Sequence, residues 1–548
     1  MEAAAAQPNV RPTGQKPRIE SALKRKKIVM RIARSANSGP TVAWAVTWLL
    51  LACSTPLAAQ TSGFPDEAAI QRELRAFVEV HRGAPGVVVG LLDANGRRIH
   101  AFGESGRPER PGLDGDTRFE IGSITKTFTG ILLADMLLAG EVSAGQRVAT
   151  LFPRTITLDN GVQEATLEEL ATHASGLPRI AVDLPALART LSVDPYRGTT
   201  ADDVYRSAAR VPRWLVRPTE TLAYSNLGYA LLGRLLELRG GQEYEELLRR
   251  RVLGPLGLGS IAIAHEEPQP LEMAQGHGPG GRPTSHWHVD GYAPAGCLIA
   301  SANEMLEYVA INLAASNRAV AEAQRLRKTF PGGRGIGLGW VHAKVGGRRL
   351  IWHNGITGGF RSFVGYLPDE GRGFAVLANG QGDVDALARR LLDPAEPPLP
   401  GYGANALVGI AITMVLLAWG PLTLSSSIRR AGQATRQASG AATLPKAIPD
   451  AHAPVPPPQS VPATIDRFDV LRSPLTPAIA LVLASRLGAW QEVPFAAWWG
   501  ALAVVVIAFA ILVRQARALT WCRKGVRRAI GRGLMTALEV TVLALMFS

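Results

Sequence analysis

The sequence predicts a mixed α+β fold, one antiparallel sheet flanked by helices with a helical lobe inserted into it, followed by a helical membrane segment. Three observations point to it. Strand-like runs stand at both ends of the stretch 61–395: Gly86–Leu92 and Arg97–Phe102 near its start, and Gly339–Val345, Arg348–His353, Phe363–Leu367 and Phe374–Ala378 near its close. A long, mostly helical and loop-rich middle runs between them to about Leu326. Past Pro394 the composition shifts to apolar runs separated by polar and basic segments. Strands at both ends with helices between them close into one sheet covered by helices. About 330 residues suffice for two lobes with a cleft between them.

In chain order, residues 1–60 run from Lys24-Arg25-Lys26-Lys27 and Arg31 to Arg34, through the apolar Val42–Ala52, to the small Ala58-Ala59. That order reads as a secretory signal peptide or a retained anchor. Translation starting at Met30, cleavage near Ala59 and a lipid on Cys53, within the lipobox-like Leu50-Leu51-Ala52-Cys53, all stand open. A helical pattern covers Pro65–Val80, and a β-hairpin turns at Asp93-Ala94-Asn95-Gly96. Turns are also expected at Gly346-Gly347 and Asp369–Gly373, and the helix Val384–Leu392 closes the domain.

Beyond it, 404–427 reads as a transmembrane helix, because Ala406–Leu424 is a charge-free apolar run of 19 residues. The segment 428–472, with Pro454-Val455-Pro456-Pro457-Pro458, reads as a Pro/Ala-rich linker. Residues 473–548 supply two or three further spans or interfacial helices: Leu475–Trp490, Pro494–Val513 and Leu534–Phe547. The formal charge of +14 does not imply nucleic acid, because residues 61–400 carry 36 Lys+Arg against 38 Asp+Glu. The excess lies in the flanks, where Ile428–Arg472 holds six basic residues, Gln491–Val493 none and Arg514–Arg532 seven. This alternation puts 61–395 outside a cytoplasmic membrane in a multi-pass chain whose partner is the lipid bilayer. Three cysteines, Cys53, Cys297 and Cys522, imply no disulfide framework.

Three short constellations carry chemistry. In Phe119–Phe128 a glycine turn enters an apolar helical run, which puts Ser123 and Lys126 one turn apart on one helix face. A serine hydroxyl needs a base, and a desolvated lysine can serve. Ser21-Ala22-Leu23-Lys24 has the same spacing in a basic tail, so the partners decide. They are Tyr224-Ser225-Asn226, at the head of a second helical run, and His353-Asn354-Gly355, at the end of a strand. A tyrosine beside the lysine, held partly as phenolate, can trade a proton with the serine, and the Asn226 amide can donate to a substrate carbonyl while accepting from the lysine. Gly355 lets a substrate backbone approach the strand, and the backbone N–H groups of Ser123 and Ile356 form an oxyanion hole. His81-Arg82-Gly83 and Lys344-Val345-Gly346 are decoys, the first misplaced in chain order and the second in a hairpin turn. His277, His286 and His288 lack acidic or cysteine companions at metal-ligand spacing and read as loop or cleft residues; no metal and no cofactor is expected. His173 is expected to order a loop.

In motif and order, Ser123-Ile124-Thr125-Lys126, Tyr224-Ser225-Asn226 and His353-Asn354-Gly355 resemble the class C beta-lactamase and penicillin-binding-protein family of serine hydrolases, which includes D,D-peptidases, D-amino-acid amidases and esterases. Thr172–Pro178 and Pro294–Ser301 resemble it too. The resemblance implies a beta-lactamase/transpeptidase-like fold over roughly 65–395 and an acyl-enzyme on Ser123. It implies that Lys126 and Tyr224 share the proton traffic and that Asn226 orients a small-molecule or peptidoglycan-like acyl substrate. His353 takes the place of the lysine that begins the third motif in beta-lactamases proper, which favours an esterase or peptidase-like member over efficient beta-lactam hydrolysis. The function expected is a membrane-anchored, extracytoplasmic serine hydrolase. The rival is a penicillin-binding sensor or cell-wall binding protein acylated without turnover.

Overall fold

The computed structural model describes residues 63–397 and 399, apart from 159–160, 184–193, 215, 217–221, 265–271, 279–280 and 332, with isolated positions between 411 and 514. All but Gly63 belong to the unit Phe64–Ser548. Helix α1, Glu67–Arg75, starts where the Asp66 carboxylate accepts the Ala69 N–H at 2.7 Å. Next comes the expected hairpin of β1, Gly86–Asp93, and β2, Gly96–Gly103, closed by Gly96 at φ +104°. The left-handed region is open to glycine at little cost.

The C-terminal strands pair onto this hairpin. They are β8, Val341–Val345, β9, Arg348–Ile356, β10, Arg361–Leu367, and β11, Arg372–Ala378. With the short β6, Lys328–Thr329, and β7, Gly335–Ile336, they form an eight-stranded sheet in the order β2-β1-β11-β10-β9-β8-β7-β6, antiparallel at every pairing. The antiparallel sheet built from both ends of the domain is therefore present. A second sheet was not expected: β3, Arg118–Glu120, β4, Ala262–Ile263, and β5, Leu298–Ser301, in the order β3-β5-β4. Strands of two to four residues are too short for a two-residue alternation to register in sequence.

Side chains on successive strand residues leave opposite faces, and here both faces are covered. Val87, Val89, Leu91, Phe363, Phe374 and Val376 join α1 and α5, Val384–Leu392, in one apolar cluster; Val88, Val364, Tyr366, Ala375 and Leu377 join the helical lobe in the other. That is why Gly86–Leu92 reads as an unbroken apolar run rather than an alternating one. The lobe packs around α2, Thr125–Leu138, with α3, Asn226–Gly240, and α4, Ala302–Ala314. In α2, Phe128, Ile131, Leu132 and Leu133 are buried. Each such side chain stabilises the fold by roughly 1.5–3 kcal/mol. A helix buried on all sides is a rigid mount, and Ser123 sits at its entrance.

Cys297 is a free thiol in the core, and burial pushes its pKa up. Among the described residues no helix is long and apolar enough to cross a membrane. The expected leader 1–60, the linker 428–472 and the spans at 406–424, 475–490, 494–513 and 534–547 lie outside the described residues, isolated positions excepted.

Candidate active site

The turn Gly122-Ser123-Ile124, a single 3₁₀ turn, joins β3 to α2. It is held from two sides. The Ile121 N–H donates to the Leu298 carbonyl of β5 at 3.0 Å, and the Ser362 hydroxyl of β10 donates to the Ile121 carbonyl at 2.9 Å. Gly122 takes φ +48°, and a Cβ there would lie 2.9 Å from the Ile356 nitrogen of β9. A Cβ on Gly355 would lie 2.0 Å from the Ile121 oxygen. The expectation that Gly355 makes room for substrate is corrected: the space is taken by Ile121 of the same chain, because the nucleophile's turn packs directly on the strand. The close approach also sets the Ile356 amide beside Ser123, the pairing expected of an oxyanion hole.

Lys126 is fully buried, and its Nζ lies 2.9 Å from Ser123 Oγ and donates to the Ala295 carbonyl at 2.7 Å. It also sits 5.0 Å from the centre of the Tyr224 ring and 5.6 Å from that of Tyr229. Burial, and secondarily the charge of Arg179, holds the Lys126 pKa well below its usual value. The basic amine, the form able to accept the serine proton, is favoured. The same burial acts oppositely on Tyr224. Its phenol is pushed above the usual range, with a hydrogen bond to Ser123 and the Arg179 charge pulling partly back. Tyr224 therefore rests as a neutral phenol, and the expected partial phenolate is corrected, since a low-dielectric site disfavours the charged form of both groups.

The expected bond from Lys126 to the Asn226 amide is corrected. In the structure Ala295 takes the lysine's second bond, while Asn226 Nδ2 donates to the Tyr196 hydroxyl at 3.0 Å and Asn226 Oδ1 is buried without a partner among the described residues. Ser225, not Asn226, caps α3, accepting the Gly228 N–H at 2.8 Å. His173 does more than order a loop. Its Nδ1 accepts the Ser225 N–H at 3.1 Å, and its ring lies against Tyr224 with centroids 4.4 Å apart. His353 is 3% exposed on β9, with Nδ1 2.6 Å from the Asn354 carbonyl. Burial, reinforced by Lys126, holds its pKa down to about 3, so the imidazole is neutral and the third motif offers no cation.

In front of Ser123 opens a cleft walled by Asn226, Tyr196, Trp287 and Tyr292 as well as Ile356 and Thr357. Tyr196, Trp287 and Tyr292 were not foreseen as cleft residues, because single aromatic residues in loops or a one-turn 3₁₀ segment carry no spacing signal. Of the histidine cluster, His286 is pinned, with Nδ1 2.6 Å from Glu120 Oε1 and Nε2 2.6 Å from the Ala264 carbonyl; Glu120 Oε1 also accepts the Trp287 N–H at 2.9 Å. Burial acts to lower the His286 pKa, but the Glu120 carboxylate outweighs it and the pKa is raised. Glu120→Ala should therefore loosen the Trp287 wall and cost about 1–3 kcal/mol of stability, measured by chemical unfolding at neutral pH.

A serine whose hydroxyl meets a buried, proton-poor lysine, beside a tyrosine and a backbone amide pair, defines a serine hydrolase working through an acyl-enzyme. Comparison with known proteins agrees. The family model described as Beta-lactamase matches residues 69–396, more than half of the chain, and the protein belongs to that family. Relatives include "Penicillin-binding protein 4" of Amycolatopsis lactamdurans, 26% identical, covering 48% of this chain and 73% of that protein. "Beta-lactamase" of Pseudomonas fluorescens is 25% identical, covering 54% and 88%, and "D-aminopeptidase" of Cereibacter sphaeroides (strain ATCC 17023) is 26% identical, covering 60% and 63%. Among solved structures, an octameric penicillin-binding protein homologue from Pyrococcus abyssi aligns with TM-score 0.53 at 23% identity, covering 65% of this chain and 82% of that one. A D-stereospecific amidohydrolase from Streptomyces sp. aligns with TM-score 0.52 at 24% identity, covering 60% and 100%. These likenesses establish the fold.

Proposed function

We propose that the protein is a membrane-anchored serine hydrolase that forms an acyl-enzyme on Ser123 with amide or ester substrates outside the cytoplasmic membrane. The observation that carries the catalytic part is the 2.9 Å approach of a fully buried Lys126 Nζ to Ser123 Oγ. Lys126 accepts the serine proton as Oγ attacks the substrate carbonyl, and the backbone amides of Ser123 and Ile356 receive the charge that develops on oxygen. Tyr224, neutral and bonded to Ser123, relays that proton to the leaving group, whose bond to the acyl carbon breaks. Water then takes the leaving group's place, and the same groups run the steps in reverse to free Ser123. Asn226 orients the acyl part of the substrate, and Gly355 holds the turn that carries the nucleophile.

The names of the relatives support beta-lactams or D-peptides as the substrate class, with a peptidoglycan-like acyl donor among them. The neutral His353 favours peptides and esters within that class, since it supplies no permanent charge for a beta-lactam carboxylate. Membrane attachment is supported by the apolar runs after Pro394 and by the placing of basic residues between them. It is tested by a reporter fused after Leu392, which should be active on the outer side; cytoplasmic activity would overturn the topology.

The catalytic reading is tested by treating the full-length protein with labelled penicillin and mapping the label. The label is expected on the peptide containing Ser123, to be absent in Ser123→Ala, and to leave with release of product. Label elsewhere would defeat the assignment. A label that stays would replace the hydrolase by a penicillin-binding protein acylated without turnover.

A further inference from the structure

Arg179 follows the stretch Thr172–Pro178, and its backbone carbonyl accepts the Asn226 N–H at 2.8 Å, which ties it to the Asn226 side of the cleft. Its side chain is exposed, and its guanidinium carbon stands 5.0 Å from the centre of the Tyr224 ring. Among the described residues no carboxylate pairs with it. An arginine over the ring of Tyr224, beside the Asn226 backbone and without an acidic partner among the described residues, presents a planar fork of donors that matches a carboxylate. Neither Lys126 nor His353 supplies a cation beside it: Lys126 is buried with its ammonium form disfavoured, and His353 is neutral.

We propose that Arg179 is a specificity-determining residue that reads a carboxylate on the acyl portion of the substrate, the portion that Asn226 holds. The inference rests on the reading of Ser123 as the acylated nucleophile and names a substrate class for it, acyl donors with an acidic side chain. The charge of Arg179 already acts on this neighbourhood: it adds to burial in lowering the pKa of Lys126 and His173, and it partly offsets the rise that burial imposes on Tyr196 and Tyr224.

The test uses two penicillins that differ by one group, benzylpenicillin and its derivative carrying a carboxylate on the side-chain α-carbon. The ring carboxylate is common to both and cancels. Second-order rates of Ser123 acylation are read by intact mass on the full-length protein. The wild type should favour the α-carboxy compound by about tenfold, Arg179→Gln should erase the preference by slowing that compound about tenfold more than benzylpenicillin, and Arg179→Lys should keep part of it. An unchanged preference in Arg179→Gln, or an equal loss with both compounds, would overturn the specificity role while leaving the hydrolase reading intact. Failure of both compounds to acylate the wild type would strike the hydrolase reading and take this inference with it.

Discussion

Lys126→Met should slow acylation of Ser123 by about a thousandfold, the upper part of what a positioned general base contributes. Ser123 would keep its place, because the turn that carries it is held by Leu298, Ser362 and Gly355 rather than by the lysine. The methionine fills a similar volume with no group to ionise. For the wild type, the pH profile of acylation should rise with pH as Lys126 loses its proton, with the rise well below the 10.5 of an ordinary lysine. A protonation at His353 cannot produce that limb near neutrality, because its pKa is held at about 3. Stability gives a second readout. The folded pKa of Lys126 is depressed, so below 10.5 the unfolded chain binds a proton that the folded chain resists, and wild-type stability falls as pH drops through that window until the folded pKa is reached. Lys126→Met abolishes this dependence. Relative to wild type it should therefore gain stability at pH 7 compared with pH 11, measured by chemical unfolding at both. Undiminished acylation in Lys126→Met would remove the lysine as base and leave Tyr224 to be tested in its place.

The groups nearest the nucleophile were legible in the sequence because each stands in a short local pattern. Ser123 and Lys126 are three residues apart on one helical approach, Tyr224 and Asn226 flank a serine cap, and His353 and Gly355 occupy alternate positions of one strand. The fold was legible where runs were long, as in the hairpin β1–β2 and strands β8 to β11. What could not be read depends on contacts across the chain. The carbonyl that holds Lys126 belongs to Ala295, 169 residues away, and backbone carbonyls carry no residue signature. The protonation of Tyr224 and His353 follows from desolvation inside the site, which a motif does not state. Tyr196 and Trp287 reach the cleft, and Arg179 the Tyr224 ring, from loops, where neither a two-residue nor a 3.6-residue period applies.

Gly355→Ala should reduce the efficiency of acylation by about a hundredfold, the scale of loss when a reacting group moves by roughly 1 Å. The added methyl group has nowhere to go: it would stand 2.0 Å from the Ile121 oxygen and 2.4 Å from Ser362 Oγ. Backbone on one side and a hydroxyl already bonded to that same oxygen on the other leave no flexible side chain to absorb it. The turn must lift away from β9, which breaks the Ser362–Ile121 bond and separates the Ser123 and Ile356 amides. Overpacking of this kind costs about 1–3 kcal/mol of stability, a loss the domain can carry while folded. A general loosening and a displaced nucleophile predict different partners in a double mutant. Adding Ser362→Ala, which removes one obstacle and the bond that clamps Ile121, should recover part of the stability but little of the activity, because the 2.0 Å clash with the carbonyl remains. Wild-type acylation in Gly355→Ala would show that the turn tolerates displacement and that its contact with β9 does not position Ser123.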